Sequence, residues 1–270
     1  MSIFDQKVIK YEMKPLSSLE KVFPDETPVY RMECQMLSGL WGETVSFQVA
    51  YTGDFVMRER LDVRVVSELA EHVHVRTVEM VPVGRATNGI VDDNYLKTTS
   101  GLYPDLLKDL KDGKVIVYSR QWRSLWVDVD ITNEIPAGEY EIELQLIKEG
   151  EVVCSAKQKV TVIGTELPKL DIMHTEWMHA DCLADYYHVE VFSEEHWKLL
   201  ENYFQEYVKR DCNMMLTPLF TSPLDTAIGL ERTTCQLIDV EVKDGEYVFG
   251  FEKLKRWIDL CKKCGIEYFE

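Results

Sequence analysis

The 270-residue sequence has no apolar run near the roughly 18 residues needed to span a bilayer, so no membrane partner is expected. Its opening, MSIFDQKVIKYEMK, has neither an apolar signal core nor a small-residue cleavage site, and cytoplasmic residence is the expectation. Positive charge is scarce: 30 Lys and Arg stand against 47 Asp and Glu, a formal charge of -17. A nucleic-acid partner needs a Lys/Arg footprint on the phosphate backbone, and this balance argues against one. The seven cysteines are an odd number without a disulfide framework, as in free thiols of a reducing compartment. Cys261 and Cys264 form a CxxC, but inside the helical run FEKLKRWIDLCKKCG and with no second ligand pair for zinc. Internal repeats, low-complexity tracts and a glycine-rich phosphate turn are also missing.

What is present is a large apolar share, 46%, with 11% aromatic residues, enough for a real core. Residues 1–165 read as all-β. Segments 28–37, 43–51, 61–67, 72–81, 114–119, 124–131, 139–147 and 151–163 are strand candidates, several alternating apolar and polar residues. Their even spacing predicts an immunoglobulin-like β-sandwich, with a hairpin turning at Lys148-Glu149-Gly150. Gly164 and Pro168 bracket a short polar linker.

After the linker the pattern alternates strand and helix: strand 170–175, helix 193–210, strand 213–220, helix 251–265 and strand 266–270. Ser193 is the expected N-cap of the first helix and Gly265 closes the second. QLIDVEVKDGEYVFG reads as an inserted hairpin. This order predicts a parallel sheet. A (β/α)₈ barrel takes about 250 residues, so 166–270 is expected to be the first part of a barrel that breaks off in its third strand. The fold expected is multidomain β plus α/β. Such a half-barrel would expose an apolar edge and seek the rest of the barrel polypeptide or a complementary chain.

Four of the six histidines and two of the six tryptophans fall between His174 and Arg232. In a barrel, function sits where strands end. His174, Trp177, His179 and Asp181 follow the first strand, Asp225 and Arg232 the second, and Glu270 the third. Aromatic faces beside carboxylates and imidazoles suit a sugar, whose apolar face stacks while its hydroxyls are hydrogen-bonded. Blander roles stand beside each: a packing histidine, Trp177 capping the core, an Asp225–Arg232 ion pair ordering a loop. Glu194 and Glu195 read as helix-start charges, and His188 and His196 as solvated or packing residues. A metal centre on His174, His179 and Asp181 is the less favoured chemistry, because position 176 is Glu where many barrel metallohydrolases carry a second His. No metal or other cofactor is expected.

Several motifs carry a resemblance: LWGETVSFQVAY, GLYPDLL, WRSLWVDV, HTEWMHADCLADYY, FSEEHW, TPLFTSPLDTAIGLERTTCQL and GIEYFE. Together, from about residue 40 onward, they resemble the glycoside hydrolase family 123-like proteins, often labelled a domain of unknown function. The resemblance implies a β-sandwich followed by a catalytic barrel, and hydrolysis of terminal β-linked N-acetylgalactosamine. It implies a substrate-assisted mechanism, in which the acetamido oxygen attacks the anomeric carbon. An adjacent Asp-Glu pair on a later strand orients that group and moves the proton. No Asp-Glu dipeptide follows residue 165. The resemblance therefore implies a catalytic pair beyond Glu270, no catalytic residue in this chain, and no turnover by it alone. His174, Trp177, His179, Asp181, Asp225, Arg232 and Glu270 would bind the N-acetylhexosamine-containing glycan. The competing reading is a non-catalytic carbohydrate-binding or scaffold module, which requires Trp41, Trp122 and Trp126 to be exposed.

Overall fold

The computed structural model describes residues 10–29, 36–55, 58–87, 89–169, 171–221 and 226–270. It divides into two units, Met1–Pro168 and Lys169–Glu270. The division falls after Pro168 rather than after residue 165, because the last strand of the first unit runs to Glu166 and the Leu167 amide still donates to Trp41 O.

The first unit consists, among the described residues, of ten strands: β1 (Lys10–Ser17), β2 (Met36–Trp41), β3 (Thr44–Asp54), β4 (Glu59–Val66), β5 (Val73–Val83), β6 (Gly101–Asp109), β7 (Lys114–Val117), β8 (Arg123–Asp130), β9 (Gly138–Lys148) and β10 (Glu151–Glu166). They form two five-stranded sheets, ordered β1-β3-β8-β5-β6 and β2-β10-β9-β4-β7. Alternation sets which side chains turn inward. Phe47, Val49 and Tyr51 of β3 and Leu125, Val127 and Val129 of β8 meet Ile142, Leu144 and Leu146 of β9 in one buried core. The β9–β10 hairpin pairs Lys148 with Glu151, leaving Glu149 and Gly150 as a two-residue turn. Both have positive φ, 51° and 88°, as a turn matched to strand twist requires.

The eight expected strands correspond to β2–β5 and β7–β10, although most of the first candidate, 28–37, lies outside the described residues. Strands β1 and β6 were not foreseen. Both are sheet edges and both contain a proline, Pro15 and Pro104. Proline lacks the ladder donor and is tolerated at edges, so it hides a strand from pattern reading.

In the second unit, α1 (Ala180–Tyr187) and α2 (Glu194–Val208) precede β11 (Met214–Met215). A hairpin of β12 (Asp239–Lys243) and β13 (Glu246–Gly250) follows, then α3 (Glu252–Cys264) and β14 (Tyr268–Phe269). Strands β11 and β14 pair in parallel, Met214 with Tyr268. The helices cover a core of Trp197, Leu200, Phe204, Met215, Trp257 and Ile266. Ser193 Oγ accepts the His196 amide at 3.2 Å and caps α2, and Gly265 ends α3 at φ 104°.

Three expectations are corrected. Residues 171–175 are not a regular strand. Instead the Asn213 side chain stands in for a ladder: its Oδ1 accepts the His174 amide at 2.8 Å and its Nδ2 donates to Ile172 O at 2.8 Å. The strand expected over 213–220 stops at Met215, since Pro218 has no N–H to continue it, though Thr217 N still donates to Glu270 O at 2.8 Å. The stretch containing Asp181, expected as loop, is helix α1.

Candidate functional site

Parallel pairing brings the residues after three chain segments toward one end of the β11–β14 ladder. There the Glu270 carboxylate is held from two sides. Thr175 Oγ1 donates to its Oε1 at 2.8 Å, and the Trp177 indole N–H donates to the same atom at 2.9 Å. The Trp177 ring itself is 59% exposed, so its faces stay open while its edge is fixed. Tyr207 of α2 sets the backbone beneath them. Its hydroxyl accepts the Glu176 amide at 2.7 Å and donates to Met214 O at 2.6 Å.

Beside this lies an ion pair held almost free of water. Arg232 Nε and Nη2 donate to Asp181 Oδ2 and Oδ1 at 2.6 and 3.0 Å, with side-chain exposures of 12% and 8%. The fork geometry fixes both partners. A cleft of about 300 Å³ opens over the pair, lined also by His179, Asp185, Leu230 and Thr233. Thr233 Oγ1 donates to Asp185 at 2.8 Å. A smaller cavity of about 90 Å³ shares His179, Asp181 and Arg232 and reaches Thr217 and Phe220. Thr217, which lines this cavity, donates its amide to the Glu270 backbone O. Cys235, which lines that smaller cavity, is no nucleophile at neutral pH: burial pushes its thiol up to about 12.

The remaining sequence candidates are distributed differently. His174 turns to the α2–β11 loop, its Nδ1 3.2 Å from Asp211 O and its Nε2 3.5 Å from Glu176 Oε1. Asp225 lies outside the described residues. His196 is wholly buried, with Nδ1 accepting the Phe192 amide at 2.9 Å and Nε2 donating to Ala180 O at 3.0 Å. That is a packing role, and desolvation lowers its pKa. His188 is the left-handed C-cap of α1. His174, His179 and Asp181 do not make a metal centre: Arg232 occupies both Asp181 oxygens, and no group of three His, Cys, Asp or Glu suited to an ion occurs among the described residues. Of the CxxC pair, Cys261 is buried on α3 with its thiol raised to about 12. Tyr207 and Thr175 were missed by sequence reading. Tyr207 sits at helical spacing among apolar residues, and spacing cannot reveal where a hydroxyl points.

Residues 177–270 match the family model of the glycoside hydrolase 123 catalytic domain. This segment is similar to part of a glycoside hydrolase 123 catalytic domain. Trp177, His179, Asp181, Arg232 and Glu270 all fall within it, whereas His174 precedes it. The fold agrees with that of a family 123 glycoside hydrolase from Clostridium perfringens, studied for glycolipid glycan hydrolysis. The TM-score is 0.70 at 14% sequence identity, over 96% of this chain and 46% of that one. The chain thus spans under half the length of that glycoside hydrolase 123 relative. A β-glucosidase from Listeria innocua (TM-score 0.26, 10% identity, 59% of this chain and 17% of that one) and the N-terminal domain of PorA (0.27, 11%, 54% and 99%) are too distant to bear on the fold. No curated protein sequence matches.

Proposed function

We propose that the chain is the N-terminal part of a glycoside hydrolase acting on N-acetylhexosamine, of the β-N-acetylgalactosaminide type, by a substrate-assisted mechanism. The parallel segment–helix arrangement after residue 169 is then the opening of a (β/α)₈ barrel. The observation that carries the reading is the Trp177–Glu270 contact beside the Asp181–Arg232 cleft, inside the region matching the catalytic-domain family. Trp177 offers an open ring face for a pyranose, and Glu270, with Oε1 occupied, keeps Oε2 to accept a sugar hydroxyl. Asp181 and Arg232 shape the cleft wall and His179 faces it. The proton transfers belong to an Asp-Glu pair outside residues 1–270, so these residues bind and orient the sugar and do not turn it over.

Tryptophan fluorescence titrated with N-acetylgalactosamine tests this. A saturable change is expected, lost in Trp177→Phe and kept in Trp126→Phe. No saturable change, or one that survives Trp177→Phe, would sink the reading. Hydrolysis of a chromogenic N-acetyl-β-galactosaminide by the 270-residue chain, abolished by Asp181→Ala, would overturn the division of roles. The carbohydrate-binding module built on the sandwich tryptophans gains no support. Trp122 is 8% exposed, and Trp41 and Trp126 are only partly exposed, unlike Trp177.

A further inference from the structure

The first unit holds a cleft of about 720 Å³ where β7 and β4 of one sheet part from β5 and β6 of the other. Its position follows from the register. Inward-facing Leu125 pairs with Thr77, and Thr77 with Lys108; Glu79 and Arg123 lie two residues further along the same face. Polar and charged side chains therefore occupy inner-face positions that hold core residues elsewhere in the sandwich.

The lining is basic in a chain whose formal charge is -17. Arg58, Arg60, Lys108, Lys111, Lys114 and Arg123 face Glu59, Glu79 and Asp109. Several of these charges are already matched: Glu59 to Lys148 at 2.9 Å, Arg60 to Asp112 at 2.9 Å and Lys114 to Asp62 at 3.2 Å. Arg58, Lys108, Lys111 and Arg123 have no carboxylate at ion-pair distance among the described residues. Arg123 is the decisive group. Its guanidinium stacks over the Tyr118 ring at 5.0 Å and Nη2 donates to Gln121 Oε1 at 3.0 Å. Its Nε–H is buried with no acceptor. That Nε–H is shielded from the cleft, but Arg123 lines it, and an oxyanion is the partner a guanidinium fork fits. An excess of basic over acidic side chains in a cleft with low-dielectric walls concentrates anions. The apolar side chains of Met80, Leu102, Val115 and Ile116 supply the rest of the lining, so the ligand has a nonpolar face as well as a charge.

We propose that this cleft binds an anionic saccharide, its carboxylate or sulfate on Arg123 and the flanking lysines and its ring against the apolar wall. The site lies wholly in the first unit and stands whether or not the second unit binds N-acetylhexosamine.

Isothermal titration of the intact chain with glucuronate, N-acetylgalactosamine 4-sulfate, neutral N-acetylgalactosamine and inorganic sulfate decides it. At least one charged sugar is expected to bind, more tightly than inorganic sulfate. The affinity should fall about tenfold or more in Arg123→Gln and in the exposed double variant Lys108→Ala/Lys111→Ala. It should also weaken between about 0.05 and 0.5 M salt and be unaffected by Lys10→Ala on the opposite edge strand. The competing neutral sugar should not diminish that charged-sugar binding. The double variant keeps the test valid if Arg123→Gln does not fold. Failure of both charged sugars to bind, equal loss in Lys10→Ala, or binding insensitive to the double variant would overturn the proposal. Inorganic sulfate binding as tightly as the charged sugars would overturn its saccharide half.

Discussion

The Asp181–Arg232 pair shows how a residue can be structural and still shape a site. Both groups are nearly free of water, so the pair persists only because each satisfies the other. Arg232→Ala would strand a buried carboxylate, and a loss of about 3–5 kcal/mol is expected, measurable by urea unfolding of the second unit. A loss below about 1 kcal/mol would mean water reaches Asp181 freely. His196 makes a second prediction. Burial depresses its folded pKa below the ordinary 6.5, and its Nδ1 accepts a backbone amide that a second ring proton would repel. As pH falls through 6.5 the unfolded imidazole takes its proton first, so the unfolded state gains. The stability contribution is whole above 6.5 and is lost as pH falls toward the folded value. The Tm of the second unit should therefore drop below that pH, and His196→Gln should flatten the drop. An unchanged slope in the variant would show that other groups carry it.

At the scale of elements, Ser193 is a plain cap, and Ser193→Ala should cost about 1 kcal/mol in chemical denaturation. The β12–β13 hairpin behaves differently. Its register sets Val240 opposite Phe249 and Val242 opposite Tyr247, and all four are exposed. Tyr247→Ser/Phe249→Ser should leave the circular dichroism unchanged while lowering binding of a hydrophobic dye. A collapse of secondary structure would instead show that this face is needed for folding. The hairpin, α2 with its cap and α3 with its closing glycine were legible in sequence, because each rests on short-range signals: an Asp-Gly turn, a Ser N-cap, a terminal Gly. Strands β1 and β6 were not, since Pro15 and Pro104 interrupt their pattern. Helix α1 was hidden too: ADCLADYY is only 8 residues long and starts without a side-chain cap. In the site, the crowding of His, Trp, Asp and Arg marked the region, and Asp181 and Arg232 do come together. That His174 would turn to the α2–β11 loop, and that Tyr207 would organise the backbone, depends on contacts between distant segments that periodicity does not encode.

At the scale of the molecule, each unit has its own buried core, and that of the first draws on both sheets. Residues 1–168 expressed alone should show a β-type spectrum and one cooperative thermal transition. A broad, non-cooperative melt would mean the sandwich needs the residues that follow.

The separations along the chain also impose an order of assembly. The β9–β10 hairpin closes over two residues. Asn213 must find Ile172 across 41 residues, Arg232 must find Asp181 across 51, and Thr175 must find Glu270 across 95. Contacts of long sequence separation are made late, after local structure has paid much of the entropy of closure. A newly synthesised chain would thus carry finished hairpins and helices while the groups around Trp177 were still apart. Within the second unit, the candidate site would be among the last features to come into being.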